Sequence, residues 1–208
     1  MTRLLLGTKN ETRKEYIKQI LNDLQVEILS LDDLGITIKI KENGNNPVEN
    51  SRIKAIGYYK YSNIPTLSID TGLYIDKFPA DKQPGTRVRR IYGDDSEASD
   101  EEMLNYYIEE LKKCGGGSKR VWKIGITLVI SHNEIYSTTL DRETMFTSLV
   151  CKKVTAGEPL NSIQIEPSTG HYQAELTHTQ RKENQKELSH HINKFIATYL
   201  LREPGNIR

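Results

Sequence analysis

Apolar side chains recur along this chain in three periods, and each period predicts a different element. Leu4-Leu5-Leu6, between Arg3 and Gly7, is a continuous apolar run of strand length, and the polar turn Thr8-Lys9-Asn10 follows it. Tyr16, Ile17, Ile20, Leu21 and Leu24 then fall on one helical face, so the chain opens strand, turn, helix. Val26 to Leu31 reads as a second strand. The turn-forming stretch Lys41 to Pro47 ends with Asn46 placed to cap a helix that Pro47 opens. That helix is expected from Val48 to Tyr61, burying Ile53, Ile56 and the stem of Lys60. Pro65 to Asp70 is a strand that ends on an acid, with Thr71-Gly72-Leu73 turning out of it.

Residues 77 to 100 hold Pro, Gly, Asp and Ser in a long irregular connection, which in a compact domain usually carries function or motion. Ser99 and Glu102 form a capping-box pair in front of Leu104, Tyr107, Ile108 and Leu111, a helix stopped by Gly115-Gly116-Gly117. The triglycine follows a helix rather than opening one, so it reads as a loop and not as a phosphate cradle. From Lys123 to Ser131, Ile124, Ile126, Leu128 and Ile130 alternate strictly, the period of a strand with one buried face. His132-Asn133 turns this strand into Glu134 to Leu140, and Thr144 to Val154 supplies a third strand of an antiparallel meander. Leu188, Ile192, Phe195, Ile196 and Tyr199 line a final helix that ends before Pro204-Gly205. With no internal repeat and no low-complexity linker, the pattern describes one α/β domain.

Composition narrows the function classes. A chain of 208 residues can bury a core, and its 29 Lys+Arg against 28 Asp+Glu leave a net charge of +1. A module that neutralises phosphates along a duplex normally carries a basic excess, so no nucleic-acid partner is expected. Cys114 and Cys151 make no disulfide framework and have no second Cys or His at zinc spacing. Leu4-Leu5-Leu6 is too short for a signal segment or a membrane span, so a cytoplasmic protein without a membrane partner is expected.

Three features bear on polyphosphate and metal chemistry. The Thr8-x-Asn10 turn presents hydroxyl, amide and backbone N–H groups at a helix N-terminus, where an anion is favoured, and Arg13 and Lys14 add positive charge in the first turns. Any strand–turn–helix needs such a cap, so capping alone is the plainer reading. Glu49 and Lys54 alone read as surface charges at helix-compatible spacing. Glu42 lies in a Gly/Asn-rich loop, where a carboxylate can approach a hard cation such as Mg²⁺ without being committed to a salt bridge. Asp70 stands at the carboxyl end of an apolar strand, where α/β proteins place ligand-contacting groups, and equally where an acid would cap the turn at Thr71-Gly72.

In order and spacing these residues resemble the inosine triphosphate pyrophosphatase family, which hydrolyses non-standard purine nucleoside triphosphates such as those of inosine and xanthosine. The blocks are Leu6-Gly7-Thr8-Lys9-Asn10 with Arg13, Glu42-Asn43-Gly44 to Val48-Glu49-Asn50-Ser51 and Lys54-Ala55, and Asp70-Thr71-Gly72-Leu73-Tyr74-Ile75-Asp76. Pro84-Gly85 to Arg90, Pro167-Ser168-Thr169-Gly170, Ala174-Glu175-Leu176-Thr177 and Ser189-His190 continue the set. The resemblance implies an elongated mixed central sheet with flanking helices forming two lobes around a nucleotide groove, residues 1–208 making a single inosine-triphosphatase-like domain with two lobes. It also implies a homodimer, Mg²⁺ as cofactor, and cleavage of a nucleoside triphosphate to the monophosphate and pyrophosphate. Thr8, Asn10 and Arg13 resemble the turn that holds the triphosphate, and Thr71, Arg90, Ser189, His190 and His191 further substrate contacts. Glu42 and Asp70 resemble the Mg²⁺ ligands, and Lys54 and Asp70 resemble the catalytic pair, which implies that Lys54 neutralises developing charge and Asp70 takes a proton from the attacking water.

The match departs at several places. Ile69 stands where the family carries the first of two acids, and Arg13 replaces a lysine, a planar fork for a point donor. Gly157-Glu158-Pro159-Leu160-Asn161-Ser162 stands in place of an aromatic GFGYDP-like loop that encloses the purine, and the terminal SHR motif reads Ser189-His190-His191. Extra residues before Ser189 leave Arg181, Lys182 and Lys186 as candidates for one lysine position. The leading expectation is an active pyrophosphatase with a drifted base preference, because Thr8, Asn10, Glu42, Lys54 and Asp70 are all present. The alternative is a catalytically impaired nucleotide-binding or interaction protein that keeps the phosphate-binding turn. An RNA-binding module would have only Arg87-Val88-Arg89-Arg90 and Lys119-Arg120 as basic clusters. The pyrophosphatase reading requires Glu42, Lys54, Asp70 and the Thr8-Asn10 turn to face one groove, and the balanced charge suggests that Arg13, Lys54 and the Arg87 to Arg90 cluster lie on the substrate side.

Overall fold

Six strands and four α-helices form among residues 2–22 and 24–201, the part of the chain that the computed structural model describes. In chain order they are β1 (Thr2–Leu6), α1 (Glu11–Leu21), β2 (Val26–Leu29), α2 (Pro47–Ser62), β3 (Thr66–Ile75), α3 (Asp100–Lys113), β4 (Gly117–Ser131), β5 (Glu134–Thr147), β6 (Gln164–Ile165) and α4 (His178–Tyr199). The strands make one mixed sheet in the order β2-β1-β3-β4-β5-β6, with β1 parallel to β2 and β3 and β5 antiparallel to β6. The two-residue turn at His132-Asn133 obliges β4 and β5 to run antiparallel. This is the expected mixed α/β sheet with flanking helices. No described helix is long and apolar enough to cross a membrane. Pro204-Gly205, the expected stop of α4, lies outside the described residues.

Three strands run longer than the sequence pattern predicts. β3 does not end on Asp70: Thr71-Gly72 stays extended, because Leu73 and Ile75 beyond it bury in a second apolar cluster. β4 starts at Gly117, so only Gly115 and Gly116 of the triglycine, both with positive φ, form the helix stop. The expected strands Glu134 to Leu140 and Thr144 to Val154 are one strand, β5, ending at Thr147. The polar gap between them is a charged stretch of strand, in which Asp141 lies 3.7 Å from Lys123 and Arg142 2.6 Å from Glu166.

The chain divides into two compact units, and the division falls inside β3, β4, β5 and α4. The first takes its described residues from Met1–Asp70, Ile124–Leu140 and Lys186–Arg208. Its main core joins Leu4 and Leu6 of β1, Ile17, Ile20 and Leu21 of α1, Leu67 and Ile69 of β3, Ile126 and Leu128 of β4, and Ile192, Phe195 and Ile196 of α4. α2 buries a different face from the expected one. Ile53 and Ile56 are only half-buried and Lys60 is exposed, whereas Pro47, Asn50, Ser51, Lys54, Ala55, Tyr58 and Tyr59 face inward. Asn50, Ser51 and Lys54 make part of that face polar, which hydrophobic periodicity does not see. Ser51 Oγ lies 2.8 Å from Thr127 Oγ1 of β4, which lies 2.9 Å from Ser137 Oγ of β5.

The start of α2 presses directly on β4. A Cβ at Gly125 would stand 2.4 Å from the Pro47 carbonyl carbon and 2.5 Å from Val48 N, backbone atoms that cannot swing aside. Gly125→Ala is therefore expected to destabilise the fold by about 1–3 kcal/mol, the usual cost of overpacking. Denaturant unfolding checks this; an unchanged midpoint would contradict the close approach.

The second unit comprises Thr71–Lys123 and Asp141–Gln185. Its core joins Leu73 and Ile75 of β3, Met103, Tyr107 and Leu111 of α3, Phe146 of β5, and Leu160 and Ile163 beyond it. The Ser99 hydroxyl caps α3 through the Glu102 N–H at 3.2 Å, while Ser99 N and Oγ donate to Glu102 Oε2 at 2.8 and 2.7 Å, completing the expected capping box. The Ser99 hydroxyl, the Tyr92 hydroxyl and the Ser99 N–H together pull the Glu102 carboxyl from 4.5 down to about 2. A depressed folded pKa contributes stability that is present above about 4.5 and lost as pH falls toward about 2. The thermal midpoints of the wild type and Glu102→Gln should accordingly differ at neutral pH and converge through that acid window. A gap constant with pH would mean that the carboxylate charge plays no part.

Candidate active site

Four elements of the first unit each deliver one charged side chain to the same place. Lys54 projects from the inward face of α2, Asp70 from β3, Glu42 from the loop before α2, and Arg13 from the first turn of α1. Lys54 Nζ stands 2.9 Å from Asp70 Oδ1 and 2.9 Å from Glu42 Oε2, so one buried ammonium bridges two carboxylates. Lys54 is thus no surface charge, and Glu42 is committed to an ion pair that its loop position did not suggest. Arg13 Nη1 donates to the Ile69 carbonyl at 3.0 Å. Burial lowers the Arg13 pKa, and the charges of Asp70 and Glu42 oppose that shift. Asp70 Oδ2 is buried and accepts no hydrogen bond from the described residues.

Local sequence explains why these groups converge. Gly7 lets β1 approach β3, where a Cβ would meet Ser68 Oγ at 2.2 Å. Asn10 caps α1 by accepting from Arg13 N at 2.8 Å, and Asn10 N donates to Thr8 Oγ1 at 3.2 Å. The Thr8-Asn10 turn is therefore a helix cap in this structure, the plainer of its two readings. Glu49, which reads as a surface charge, organises the loop that carries Glu42. It accepts from Asn45 N at 2.7 Å and from Asn46 Nδ2 at 2.8 Å, while Asn46 Oδ1 accepts from Glu49 N at 3.0 Å. Buried Asn50 accepts from Gly44 N at 2.8 Å, and the Tyr58 hydroxyl takes a hydrogen bond from the Ile40 backbone. The Asn46-x-x-Glu49 spacing was the legible signal for this scaffold; Asn50 and Tyr58 gave none.

Ile69 removes less than its position suggests. Successive side chains of a strand point to opposite faces, and Ile69 packs with Leu67 into the main core while Asp70 faces the charged cluster.

Other expected contacts stand elsewhere. Thr71 follows Asp70 in β3 as the first residue of the second unit. On α4, His191 Nε2 lies 3.1 Å from Thr138 Oγ1, Ser189 is half-buried and His190 exposed. No described contact joins these three to Lys54. Arg181 is spent on the carbonyls of Leu176 and Ala174, at 3.1 and 3.0 Å. The Arg87 to Arg90 cluster belongs to the second unit and does not act as one group. Arg89 Nη2 donates to Asp100 Oδ1 and to the Gly157 carbonyl, both at 2.7 Å, and Gly157 N donates to Asp100 Oδ2 at 2.6 Å. That clamp, led by the Gly157 N–H, lowers the Asp100 pKa. It fixes the start of the divergent Gly157 to Ser162 loop, whose Leu160 fills the core.

The donor set suits a hard divalent cation. Glu42 and Asp70 offer carboxylate oxygens, one of them buried and unpartnered, and Mg²⁺ takes one or two carboxylates and completes its octahedron with water and phosphate oxygens. No group of three or more His, Cys, Asp or Glu placed to hold a metal occurs among the described residues, which two carboxylates for Mg²⁺ do not require.

A mixed α/β sheet carries a buried, lysine-bridged carboxylate pair. Residues 4–158 match the Ham1 family profile, and the chain belongs to the Ham1 family. It is 33% identical over 112 residues to a dITP/XTP pyrophosphatase of Geobacter sulfurreducens, covering 54% of each chain. It is 26% identical over 192 residues to a dITP/XTP pyrophosphatase of Shigella flexneri, covering 91% of this chain and 92% of that one. The chain spans about half the length of the first of these relatives, 48% to 54%. A Ham1 protein structure from Coxiella burnetii shares the fold with a TM-score of 0.77 at 22% identity, covering 93% of this chain and 100% of that one.

Proposed function

We propose that this protein is a Mg²⁺-dependent nucleoside triphosphate pyrophosphatase that acts on non-standard purine nucleotides and releases the monophosphate and pyrophosphate. The observation that carries this reading is the Lys54 ammonium 2.9 Å from both Glu42 and Asp70, with Asp70 Oδ2 left without a hydrogen bond. The relatives named dITP/XTP pyrophosphatases support it. Water adds to the α-phosphorus, the bond to the α–β bridging oxygen breaks, and pyrophosphate departs with that oxygen. Asp70 Oδ2 takes the water's proton, and Lys54 and Arg13 offset charge on the phosphate oxygens; such a displacement needs positioning and charge neutralisation more than covalent chemistry. Glu42 and Asp70 would hold Mg²⁺, which would supply Lewis-acid neutralisation of the triphosphate. In this reading Thr8 and Asn10 hold the phosphates, Thr71 the neighbouring sugar-phosphate portion, and Ser189, His190 and His191 the remainder of the nucleotide. The two compact units are then the lobes of a single domain over 1–208, working as a cytoplasmic homodimer with no nucleic-acid partner.

The test is a pyrophosphate-release assay with Mg²⁺ over standard and non-standard triphosphates. Release that depends on Mg²⁺ and favours non-standard purines is the expected result. Tight nucleotide binding without release on any triphosphate would replace this reading with a binding protein.

A further inference from the structure

The second unit contains a cavity of about 360 Å³ whose lining includes Lys82, Arg87, Arg90, Tyr92, Tyr106 and Tyr107. We propose that it binds a phosphate-bearing small molecule between Arg87 and Arg90, and that Asp95, which pairs with both arginines from outside the lining, competes with that ligand for them. Arg90 N donates to the Arg87 carbonyl at 2.9 Å, a single turn that brings the two arginines to one side, while Arg89 between them is tied to Asp100 and Gly157. The segment is held from behind. The Tyr107 hydroxyl donates to the Val88 carbonyl at 3.0 Å, and Gly85 exchanges two backbone hydrogen bonds of 2.9 Å with Leu73. Gln83 accepts from Ile75 N at 2.9 Å and donates to the carbonyls of Ile75 and Phe78, both at 2.7 Å. The pocket is therefore built before any ligand arrives.

Both guanidinium groups currently address one oxygen. Asp95 Oδ1 lies 2.7 Å from Arg87 Nη2 and 3.7 Å from Arg90 Nη1, and the Asp95 side chain is 80% exposed. An ion pair so open to water is weak, whereas a phosphate offers three oxygens to two planar forks and can satisfy both at once. Asp81 is the one acid in the lining, set against three cations. Tyr92 and Tyr106 add aromatic surface beside the cations, as a site for a phosphate joined to a flat ring would. Every lining residue belongs to the second unit and none to the Glu42–Lys54–Asp70 cluster, although Arg90 is also one of the substrate contacts that the family resemblance implies.

Calorimetric titration of the full chain without metal, in an Asp70→Asn background that prevents turnover, tests the proposal with inorganic pyrophosphate and adenosine monophosphate as probes. Arg87→Ala and Arg90→Ala should each weaken binding about tenfold or more, and Asp95→Asn should tighten it about fivefold by removing the competing carboxylate. A larger loss of adenosine monophosphate binding than of pyrophosphate binding in Arg87→Ala assigns the pocket to a nucleotide; the reverse assigns it to a free oligophosphate. Arg87→Lys, which keeps the charge, should retain part of the affinity and so separates loss of a contact from loss of the fold. Affinities unchanged by both arginine variants, or an Asp95→Asn chain that binds more weakly, would overturn the proposal.

Discussion

Asp70→Asn is expected to lower the turnover number for pyrophosphate release by about a thousandfold, within the range for loss of a general base, and to leave the protein folded. Asparagine matches the volume of aspartate and keeps an oxygen that can accept from Lys54, while Lys54 keeps its pair with Glu42 at 2.9 Å. What disappears is the negative charge that, in the proposed function, takes the water's proton and helps hold the cation. Steady-state kinetics with saturating Mg²⁺, beside a thermal unfolding curve, separate the two consequences. The loss should fall mainly on kcat, since the remaining phosphate contacts are untouched. A variant retaining a tenth or more of wild-type turnover would show that another group takes the proton.

Arg120→Met should make the protein more stable, by about 2 kcal/mol, which for a chain of this size raises the thermal midpoint by roughly 4–8 °C. Arg120 is fully buried, and none of its three guanidinium nitrogens finds a hydrogen-bond partner among the described residues. It lies between aromatic rings, its Cζ 5.3 Å from the Trp122 centroid and 5.0 Å from that of Phe146. Those contacts offset part of the cost of burying a cation. Burial first, then repulsion from Arg142, pulls its pKa well down, with Glu166 opposing. Glu166 needs no help from Arg120, because Arg142 and Asn184 already donate to it at 2.6 and 2.9 Å. Methionine would keep the long stem against both rings and remove the charge. A midpoint that falls instead would mean the guanidinium is satisfied in the native protein.

The elements whose inward faces are apolar could be read from periodicity alone. α1 and α4 bury the residues expected of them and the capping box at Ser99 forms as spaced, whereas β4 buries both faces from Ile124 to Val129 where the alternation predicts one. Periodicity failed where the inward face is polar or the strand is charged. α2 hides Asn50, Ser51 and Lys54 rather than Ile53 and Ile56, and β5 carries Asp141, Arg142 and Glu143 through its middle. The charged cluster was legible only as an ordered set of motifs, since nothing in the spacing of Glu42, Lys54 and Asp70 requires that they touch. The spacing of Arg87, Arg89 and Arg90 misled in the opposite sense, because Arg89 turns to Asp100 and Gly157 while Arg87 and Arg90 share Asp95.

The helix that delivers Lys54 rests on its neighbours through hydroxyls, amides and a glycine-sized gap as well as through the apolar contacts of Ala55, Tyr58 and Tyr59. An apolar interface can slide by half an ångström and lose little, because its attraction is non-directional. The Ser51–Thr127–Ser137 chain, the Asn50–Gly44 bond and the backbone pressed against Gly125 admit no such slack, since each contact is spent once displaced. α2 therefore behaves as a stiff mount, trading some of the adhesive strength of an apolar face for positional tolerance at the tip of one lysine.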